Sequence, residues 1–382
     1  MSPSTPPPAG TGSDDEDLAG QAHPGHGVPS QDTDAAAQFL LDPQEIEREA
    51  HSVLIAGGMG AGLATGTAIG ITVAGPVGGV VGATLGAIAG ALGGAAAGVM
   101  EHAASDAGAA ANSGHLHIDD SGGSGRPVVL IHGWPLSAQA WEPQLSALQA
   151  AGYRVVAYDR RGFGRSDKPD ADYSYDALAD DLERVMEQCE LQDATLVGFS
   201  MGGGEVARYI ARYGESRLHS VVFAAAVPPY LLKTADNPDG PLTPEQAQRN
   251  MQALKRDRSA FFEQFTRDFF CAHGVLQVSE SQRRDAIVLC HQSAPHAALA
   301  CMNAFSTTDF REDLKAVTVP TLVLHGDADA IVPIEGSGER THRAIPHSQL
   351  VRVAGAPHGL NVSHQQAFNA ALLSFLQSVV RT

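Results

Sequence analysis

The sequence predicts an α/β protein built on a mostly parallel β-sheet and preceded by about a hundred residues of a different character. Three observations support this. Apolar runs alternate with amphipathic helical patterns from residue 127 onward, which is typical of a parallel sheet covered on both faces. A helical stretch interrupts the alternation at about 228–310, and the composition changes twice before residue 115. With 382 residues, the chain is longer than one average domain.

The first segment, residues 1–50, is acidic and rich in Pro, Gly and Ser. Its ten acidic residues stand against one base, Arg48, which gives −9 of the chain's formal charge of −18. Such a composition predicts disorder, because it offers too little apolar surface to bury. A chain this acidic also lacks the basic face that a nucleic-acid partner requires. Because no Lys or Arg precedes Arg48, the segment does not resemble a secretory signal, and we expect a cytoplasmic protein.

The second segment, residues 51–102, is predicted to form a glycine-rich helical hairpin. Residues 53–100 carry no charge and have glycine at nearly every fourth position, which on a helix forms one flat ridge. The segment resembles the glycine-zipper hairpins of bacterial membrane-associated proteins. This favours membrane association or self-association through 53–100. A Gly/Ala linker is the alternative, because insertion is driven by larger apolar side chains. Residues 103–114 are predicted to be a linker.

The third segment, residues 115–382, is predicted to be the α/β domain. Its expected strands are 115–118, 127–131, 154–158, 194–199, 218–224, 320–325 and 348–353, and its expected helices are 138–150, 175–189, 200–213 and 365–379. The inserted segment, 228–312, is predicted to be helical without a strand and to form a lid over a pocket. Its aromatic residues would line the pocket or pack the lid onto the body.

A serine between two glycines follows the apolar run 194–199. The order Gly198-Phe-Ser200-Met-Gly202, followed by a helical pattern, predicts a sharp strand-to-helix turn with the Ser200 hydroxyl exposed at its top. The alternative is a structural turn with an incidental serine. If Ser200 is a nucleophile, the chain must also supply a base, an orienting acid and donors for an oxyanion.

Three further segments supply candidates for these parts. His132-Gly-Trp134-Pro follows a strand, so the backbone N–H of Trp134 can pair with that of Met201 as an oxyanion hole, while His132 itself is expected to be structural. His358 lies in a Gly/Pro loop after the last strand and is the candidate base. Two carboxylates, Asp327 and Asp329, compete for the orienting role. We favour Asp329, because it lies further past the strand end, whereas Asp327 can cap the turn.

Long motifs in the same order carry a family resemblance. They are His132-Gly-Trp-Pro-Leu-Ser137, Asp159-Arg-Arg-Gly-Phe-Gly-Arg-Ser166, Gly198-Phe-Ser-Met-Gly-Gly-Gly-Glu-Val-Ala-Arg208, Ala226-Val-Pro-Pro229 and Gly355-Ala-Pro-His-Gly-Leu360. From about residue 115 onward, the chain resembles the cofactor-free (non-haem) haloperoxidase, arylesterase and perhydrolase branch of the α/β-hydrolases.

This resemblance implies an eight-stranded sheet with a helical lid. It also implies Ser200 as nucleophile, His358 as base, Asp329 as acid, and Trp134 with Met201 as oxyanion donors. The family's first strand precedes the equivalent of His115, but residues 103–113 are Ala/Gly-rich here, so that strand is in doubt.

The leading hypothesis is therefore a serine hydrolase of small carboxylic esters that also performs perhydrolysis. Its expected partners are a small ester or carboxylic acid and hydrogen peroxide, with no cofactor and no metal. The rival hypothesis is a membrane-anchored or self-assembling scaffold or binding module on the same fold. Two neighbouring arginines, Arg160 and Arg161, could be mistaken for a phosphate clamp, but we expect them to form salt bridges that brace a loop.

Overall fold

The architecture is that of a computed structural model, which describes residues 114–379. In chain order its strands are β1 (Ile118–Asp120), β2 (Pro127–Ile131), β3 (Arg154–Tyr158), β4 (Ala194–Phe199), β5 (Leu218–Ala224), β6 (Cys271–Ala272), β7 (Val275–Leu276), β8 (Thr321–Gly326) and β9 (Gln349–Val353). The tail, the glycine-rich hairpin and nearly all of the linker predicted before residue 115 lie outside the described residues.

Helices occupy most of the connections between these strands. They are α1 (Glu142–Ala150), α2 (Tyr175–Gln188), α3 (Met201–Tyr213), α4 (Pro244–Arg256), α5 (Arg258–Phe270), α6 (Glu280–His291), α7 (Pro295–Thr307), α8 (Gly338–Ala344), α9 (Leu360–Ser363) and α10 (Gln365–Ser378). Short 3-10 turns cover Ala138–Trp141, Asp313–Ala316 and Ile334–Gly336. None of the helices between residues 114 and 379 is both long enough and apolar enough to cross a bilayer.

The main sheet has seven strands within the described residues, in the order β1-β3-β2-β4-β5-β8-β9. Every pair is parallel except β1 with β3, which is antiparallel at the edge. Strands β4, β5 and β8 are buried along their whole length, as continuous Val, Leu and Phe runs predict for a sheet covered on both faces. The predicted mostly parallel α/β fold is confirmed. The expected eighth strand would fall at 103–113, outside the described residues.

The first described strand begins later than predicted. The sequence suggested a strand at 115–118, whereas β1 starts at Ile118. Residues 115 and 117 bond instead to the loop after β3: Asp167 N–H donates to the His115 carbonyl, and His117 N–H donates to Ser166 Oγ at 2.8 Å. The backbone groups of this segment are therefore satisfied by loop contacts rather than by a strand ladder.

The segment between β5 and β8 holds the four helices α4 to α7. The prediction that it contains no strand is wrong, because β6 and β7 form a two-residue antiparallel pair between α5 and α6. Gly274, at φ +78°, lies in the turn that joins them. Two-residue strands carry no periodic pattern, so the surrounding helical signal conceals them.

Four loops at the carboxyl ends of parallel strands meet at one edge of the sheet. They follow β2, β4, β8 and β9, and they carry Trp134, Ser200, Asp329 and His358 respectively. Helices α4, α5 and α7 line a cavity together with these loops. The edge where parallel strands end is where open α/β sheets bind their ligands.

Candidate active site

The backbone at Ser200 is strained and is held in place by two glycines. Ser200 has φ 55° and ψ −117°, a conformation that costs a residue with a side chain about 1–3 kcal/mol. A Cβ on Gly198 would lie 2.5 Å from the carbonyl oxygen of Gly202, and a Cβ on Gly202 would lie 2.6 Å from that of Ile131. Both positions must therefore be glycine for the strand and helix to approach this closely.

Ser200, His358 and Asp329 form one hydrogen-bonded chain. The Nδ1 atom of His358 lies 2.6 Å from Asp329 Oδ2, and its Nε2 atom lies 2.9 Å from Ser200 Oγ. An ionised carboxylate can only accept, so the ring hydrogen is on Nδ1, and Nε2 accepts from the serine hydroxyl. All three residues are buried. The arrangement has the geometry of a nucleophile, a base and an orienting acid.

The Asp329 carboxylate is surrounded by donors. Its Oδ1 atom accepts from the backbone N–H groups of Ile331 at 2.9 Å and Val332 at 2.8 Å. Its Oδ2 atom faces His358 and also lies 3.2 Å from His325 Nε2. Burial alone would raise the pKa of Asp329, but the His358 ring and the hydrogen bonds of both histidines outweigh it and hold that pKa well below its usual value. Asp329 is therefore ionised across the physiological range.

The competing carboxylate, Asp327, lies in the same turn but makes a different contact. Its Oδ1 atom accepts from the Gly355 N–H at 2.6 Å, which ties the turn after β8 to the loop after β9. Asp329, and not Asp327, contacts His358. The two carboxylates thus divide between the hydrogen-bonded chain and the turn.

The loop after β2 passes directly beside Ser200. A Cβ built on Gly133 would lie 3.1 Å from Ser200 Cβ and 2.7 Å from a ring carbon of Phe199. Glycine at 133 therefore lets the backbone of the next residue, Trp134, reach the edge of the serine site.

Two backbone N–H groups at this point have no protein acceptor. Neither the N–H of Trp134 nor that of Met201 donates to any group in residues 114–379. The carbonyl of Gly133 accepts from Leu136 N–H at 3.0 Å and from His132 Nδ1 at 2.9 Å. In a trans peptide the N–H points opposite the carbonyl, so these two bonds fix the direction of the Trp134 N–H. A pair of backbone donors without an acceptor beside a serine can stabilise an oxyanion.

His132 is held in one neutral tautomer by the backbone N–H of Arg160, in the loop after β3. Its Nε2 atom accepts from the Arg160 N–H at 3.0 Å, so its hydrogen is on Nδ1, facing Gly133. Arg160 also pairs with Glu205 of α3, with no exposed side-chain surface on either residue. Burial and the Arg160 charge lower the pKa of His132 to about 3. The expected structural role of His132 matches this placement.

The neighbouring arginine makes a separate salt bridge. Arg161 Nη2 lies 2.7 Å from Asp181 Oδ1 in α2, and its Nη1 donates to the carbonyl of Asp172. The prediction that Arg160 and Arg161 form salt bridges bracing a loop is confirmed. Neither guanidinium lines the cavity at Ser200.

That cavity has a volume of about 330 Å³. Besides Ser200, His358 and Trp134 it is lined by Val227, Leu231, Pro241, Leu242, Gln246, Asn250, Phe261, Phe265, Asp268, Met302, Phe305, Ser306, Ala330, Ile331, Val332 and Pro333. The wall is mainly apolar, with a few polar groups from α4, α5 and α7. A pocket of this size accepts a small organic molecule.

An aromatic cluster joins the inserted helices to the loops that carry Trp134 and His358. The Trp134 ring meets four phenylalanines at steep angles, and its Nε1 donates to the Ala298 carbonyl at 2.9 Å. The four are Phe261, Phe262, Phe265 and Phe305. The ring of Phe269 lies edge-on to His358, with centroids 5.1 Å apart. Both suggested roles, lining the pocket and packing the insertion onto the body, thus occur within one cluster.

Two residues at this site, Phe269 and His325, have no individual role that the sequence predicts. Phe269 stood only as one of several aromatic residues in the insertion, and His325 only as the start of the segment that contains Asp329. Both contact the hydrogen-bonded chain. The aromatic run in α5 was visible, but nothing in the sequence marks which ring faces His358.

The chain is similar to known proteins over this part of its length. The sequence model of the alpha/beta hydrolase fold family matches residues 126–365. The non-heme chloroperoxidase CPO-A1 of Kitasatospora aureofaciens is 41% identical over 66% of this chain and 93% of its own length. A bifunctional esterase/perhydrolase of Acinetobacter calcoaceticus is 38% identical over 69% of this chain and 96% of its own. The crystal structure of bromoperoxidase from Bacillus anthracis aligns with a TM-score of 0.67 at 52% identity, covering 69% of this chain and 95% of that one.

Proposed function

The chain belongs to the alpha/beta hydrolase fold family, and on that premise we propose that it hydrolyses small carboxylic esters through an acyl-enzyme on Ser200. The observation that carries the proposal is the chain of contacts from Ser200 Oγ through His358 to Asp329, beside two backbone donors that have no acceptor among residues 114–379. The relatives named esterase/perhydrolase and non-heme chloroperoxidase support the same class of chemistry.

In the first half of the reaction, Ser200 Oγ attacks the ester carbonyl carbon while its proton passes to His358 Nε2. The carbonyl oxygen becomes an oxyanion, which the N–H groups of Trp134 and Met201 stabilise. Asp329 stabilises the imidazolium that forms, without taking the proton. The tetrahedral intermediate then collapses, the bond to the alcohol oxygen breaks, and His358 returns its proton to the leaving alcohol. The product is an acyl ester on Ser200.

In the second half, a water molecule attacks the acyl carbon and gives its proton to His358. Collapse of the new tetrahedral intermediate breaks the bond to Ser200 Oγ, which recovers the proton and leaves a carboxylic acid. Hydrogen peroxide can replace water in the same step, because it brings the same O–H group and a nucleophilic oxygen. The product is then a peracid, which oxidises a halide ion in solution to hypohalous acid and becomes a carboxylic acid.

The cavity supports a small and largely uncharged substrate. Its volume of about 330 Å³ and its apolar wall suit a short acyl chain or an aromatic leaving group. Ester binding needs no group beyond the donors already named, since the carbonyl oxygen is the one polar atom that must be held.

The proposal is tested with Ser200→Ala and a short-chain nitrophenyl ester. We expect turnover to fall by at least about a thousandfold, because without Oγ no acyl-enzyme can form. Ser378→Ala, on the surface of α10, is the control for loss of a serine hydroxyl. A fluorophosphonate probe should label the wild-type chain and not S200A. Retained turnover or labelling in S200A would refute the proposal.

The second activity, perhydrolysis, is tested by the choice of acceptor. An assay that detects peracid should show its formation from an ester and hydrogen peroxide with wild-type protein and not with S200A. If esters are hydrolysed but no peracid forms at any peroxide concentration, only water attacks the acyl-enzyme and this part of the proposal fails.

A further inference from the structure

A second histidine, His325, contacts the same carboxylate oxygen of Asp329 as His358 does. It lies near the end of β8 with no exposed side-chain surface. Its Nε2 atom donates to the carbonyl of Val332 at 2.9 Å and lies 3.2 Å from Asp329 Oδ2. One imidazole N–H thus faces both the carboxylate and the turn that carries it.

The hydrogen on this ring has a fixed position. The Val332 carbonyl can only accept, so the hydrogen is on Nε2. The other nitrogen, Nδ1, is buried and has no hydrogen-bond partner in the part of the chain that the structure describes, and a Cβ on Gly338 would lie only 2.6 Å from it. A hydrogen on Nδ1 would find no acceptor there, which disfavours the other neutral tautomer.

We propose that His325 is a positioning residue for the catalytic acid: its Nε2–H holds the Asp329 carboxylate and the Val332 peptide in the single arrangement that presents Oδ2 to His358. The inference rests on the proposed function, because it assigns a role in orienting the same base. His325 does not line the cavity, so it does not touch the substrate.

The contacts of Asp329 show why this fourth donor matters. Two backbone N–H groups bind Oδ1, while Oδ2 is shared by the two histidines. Without His325, the carboxylate would keep three donors in a buried site and would take up a proton more readily. The turn would also lose the bond to its Val332 carbonyl and could rotate Oδ2 away from His358.

Loss of the His325 donor should shift the pH dependence of activity. Among residues 114–379, the titratable groups that face Asp329 are His358, from the loop after β9, and His325, from β8. Asp327 lies two residues away and is bound to Gly355 N–H. Loss of the His325 donor therefore moves the acid limb of the kcat/KM profile to higher pH, because that limb reports the His358–Asp329 pair.

The test compares His325→Gln with His325→Met. The two side chains have similar length, but Gln can place an N–H near the position of Nε2 and Met cannot. We expect H325M to move the acid limb up by about half a pH unit or more and to lower kcat about tenfold, with little change in KM. H325Q should stay close to wild type. His219→Met, which replaces a buried histidine of β5 away from this site, controls for loss of stability.

An acid limb in H325M that coincides with those of H325Q and wild type would overturn the inference, even if H325M were less stable. Histidine ¹⁵N NMR of the wild-type chain needs no variant to fold. A hydrogen on His325 Nε2 throughout the pH range of activity supports the proposal, and a hydrogen on Nδ1 overturns it. Active S200A would instead refute the proposed function, so the two failures are distinguishable.

Discussion

The ring of Phe269 meets the imidazole of His358 edge-on, with centroids 5.1 Å apart and an interplanar angle of 82°. Phe269 belongs to α5 of the insertion, whereas His358 belongs to the loop after β9. The same loop donates the Gly359 N–H to the Phe269 carbonyl at 2.8 Å. An inserted helix thus holds the base of the proposed mechanism by a ring contact and a backbone hydrogen bond.

Phe269→Leu should slow the reaction more than its loss of stability explains. The smaller side chain leaves space beside the imidazole, so His358 would be held less firmly against Ser200. We expect kcat for a nitrophenyl ester to fall about tenfold, with a stability loss of about 1–2 kcal/mol in chemical unfolding. Phe368→Leu, at a buried phenylalanine of α10, should cost similar stability and leave kcat unchanged. Equal kcat in the two variants would contradict this role for Phe269.

The variants Asp329→Asn and Asp327→Asn should distinguish the roles of the two carboxylates in the turn after β8. Asn at 329 cannot balance the imidazolium and can bind the wrong His358 tautomer, so we expect kcat to fall about a thousandfold or more. Asn at 327 still offers an oxygen to the Gly355 N–H and should keep most of the activity. Steady-state kinetics of both variants check this. An inactive D327N beside an active D329N would reverse the assignment.

The buried His132 predicts a pH dependence of stability. Its pKa falls from an ordinary 6.5 to about 3 on folding, so the unfolded chain binds its proton first as the pH drops. The contribution of neutral His132 to the free energy of unfolding is therefore complete above about pH 6.5, and it is lost progressively as the pH falls from 6.5 to 3. At pH 5 the loss is about 2 kcal/mol from this residue.

His132→Asn isolates this contribution, because Asn can still donate to the Gly133 carbonyl but does not titrate. Urea unfolding at pH 5 and pH 7 should show a smaller difference in the free energy of unfolding for H132N than for wild type. His347→Asn, at an exposed histidine, is the matched control. The same pH difference in H132N and wild type would contradict the prediction.

The charge of the cavity wall predicts a preference against anionic esters. Among the described residues that line it, Asp268 is the one carboxylate and none is Lys or Arg. Wild-type protein should therefore prefer nitrophenyl valerate to the anionic nitrophenyl hemisuccinate of similar length. We expect Asp268→Asn to narrow this preference in kcat/KM by about fivefold, or about 1 kcal/mol. Glu187→Gln changes the net charge equally but lies outside the cavity, and an equal effect there would contradict a local role for Asp268.

Local patterns in the sequence were enough to predict the four strands β2 to β5 of the sheet. The buried runs of β2 to β5 match the predicted bounds, because a short apolar run between amphipathic helical patterns is typical of a strand buried on both faces. The glycines around Ser200 were also informative, since two close backbone approaches leave no other residue possible.

Contacts across long sequence separations could not be predicted in the same way. Phe269 and His358 are 89 positions apart (358 − 269), and neither segment identifies the other. The sequence likewise favours Asp329 over Asp327 without deciding between them, because only the folded turn determines which carboxylate reaches His358. The tautomers of His132 and His325 depend on carbonyl and N–H groups that carry no sequence signal.

The strand-end loops carry Ser200, Asp329 and His358, whereas inserted helices form much of the cavity wall, and this separation has a consequence for engineering the protein. Ser200, Asp329 and His358 all follow strands of the sheet, whereas much of the cavity wall comes from α4, α5 and α7. A chimera that exchanges this insertion for a relative's would reshape the cavity and leave Ser200, Asp329 and His358 on their own strand-end loops. The exchanged insertion would have to keep an aromatic ring at position 269, because this ring is where the insertion contacts His358 in the loop after β9.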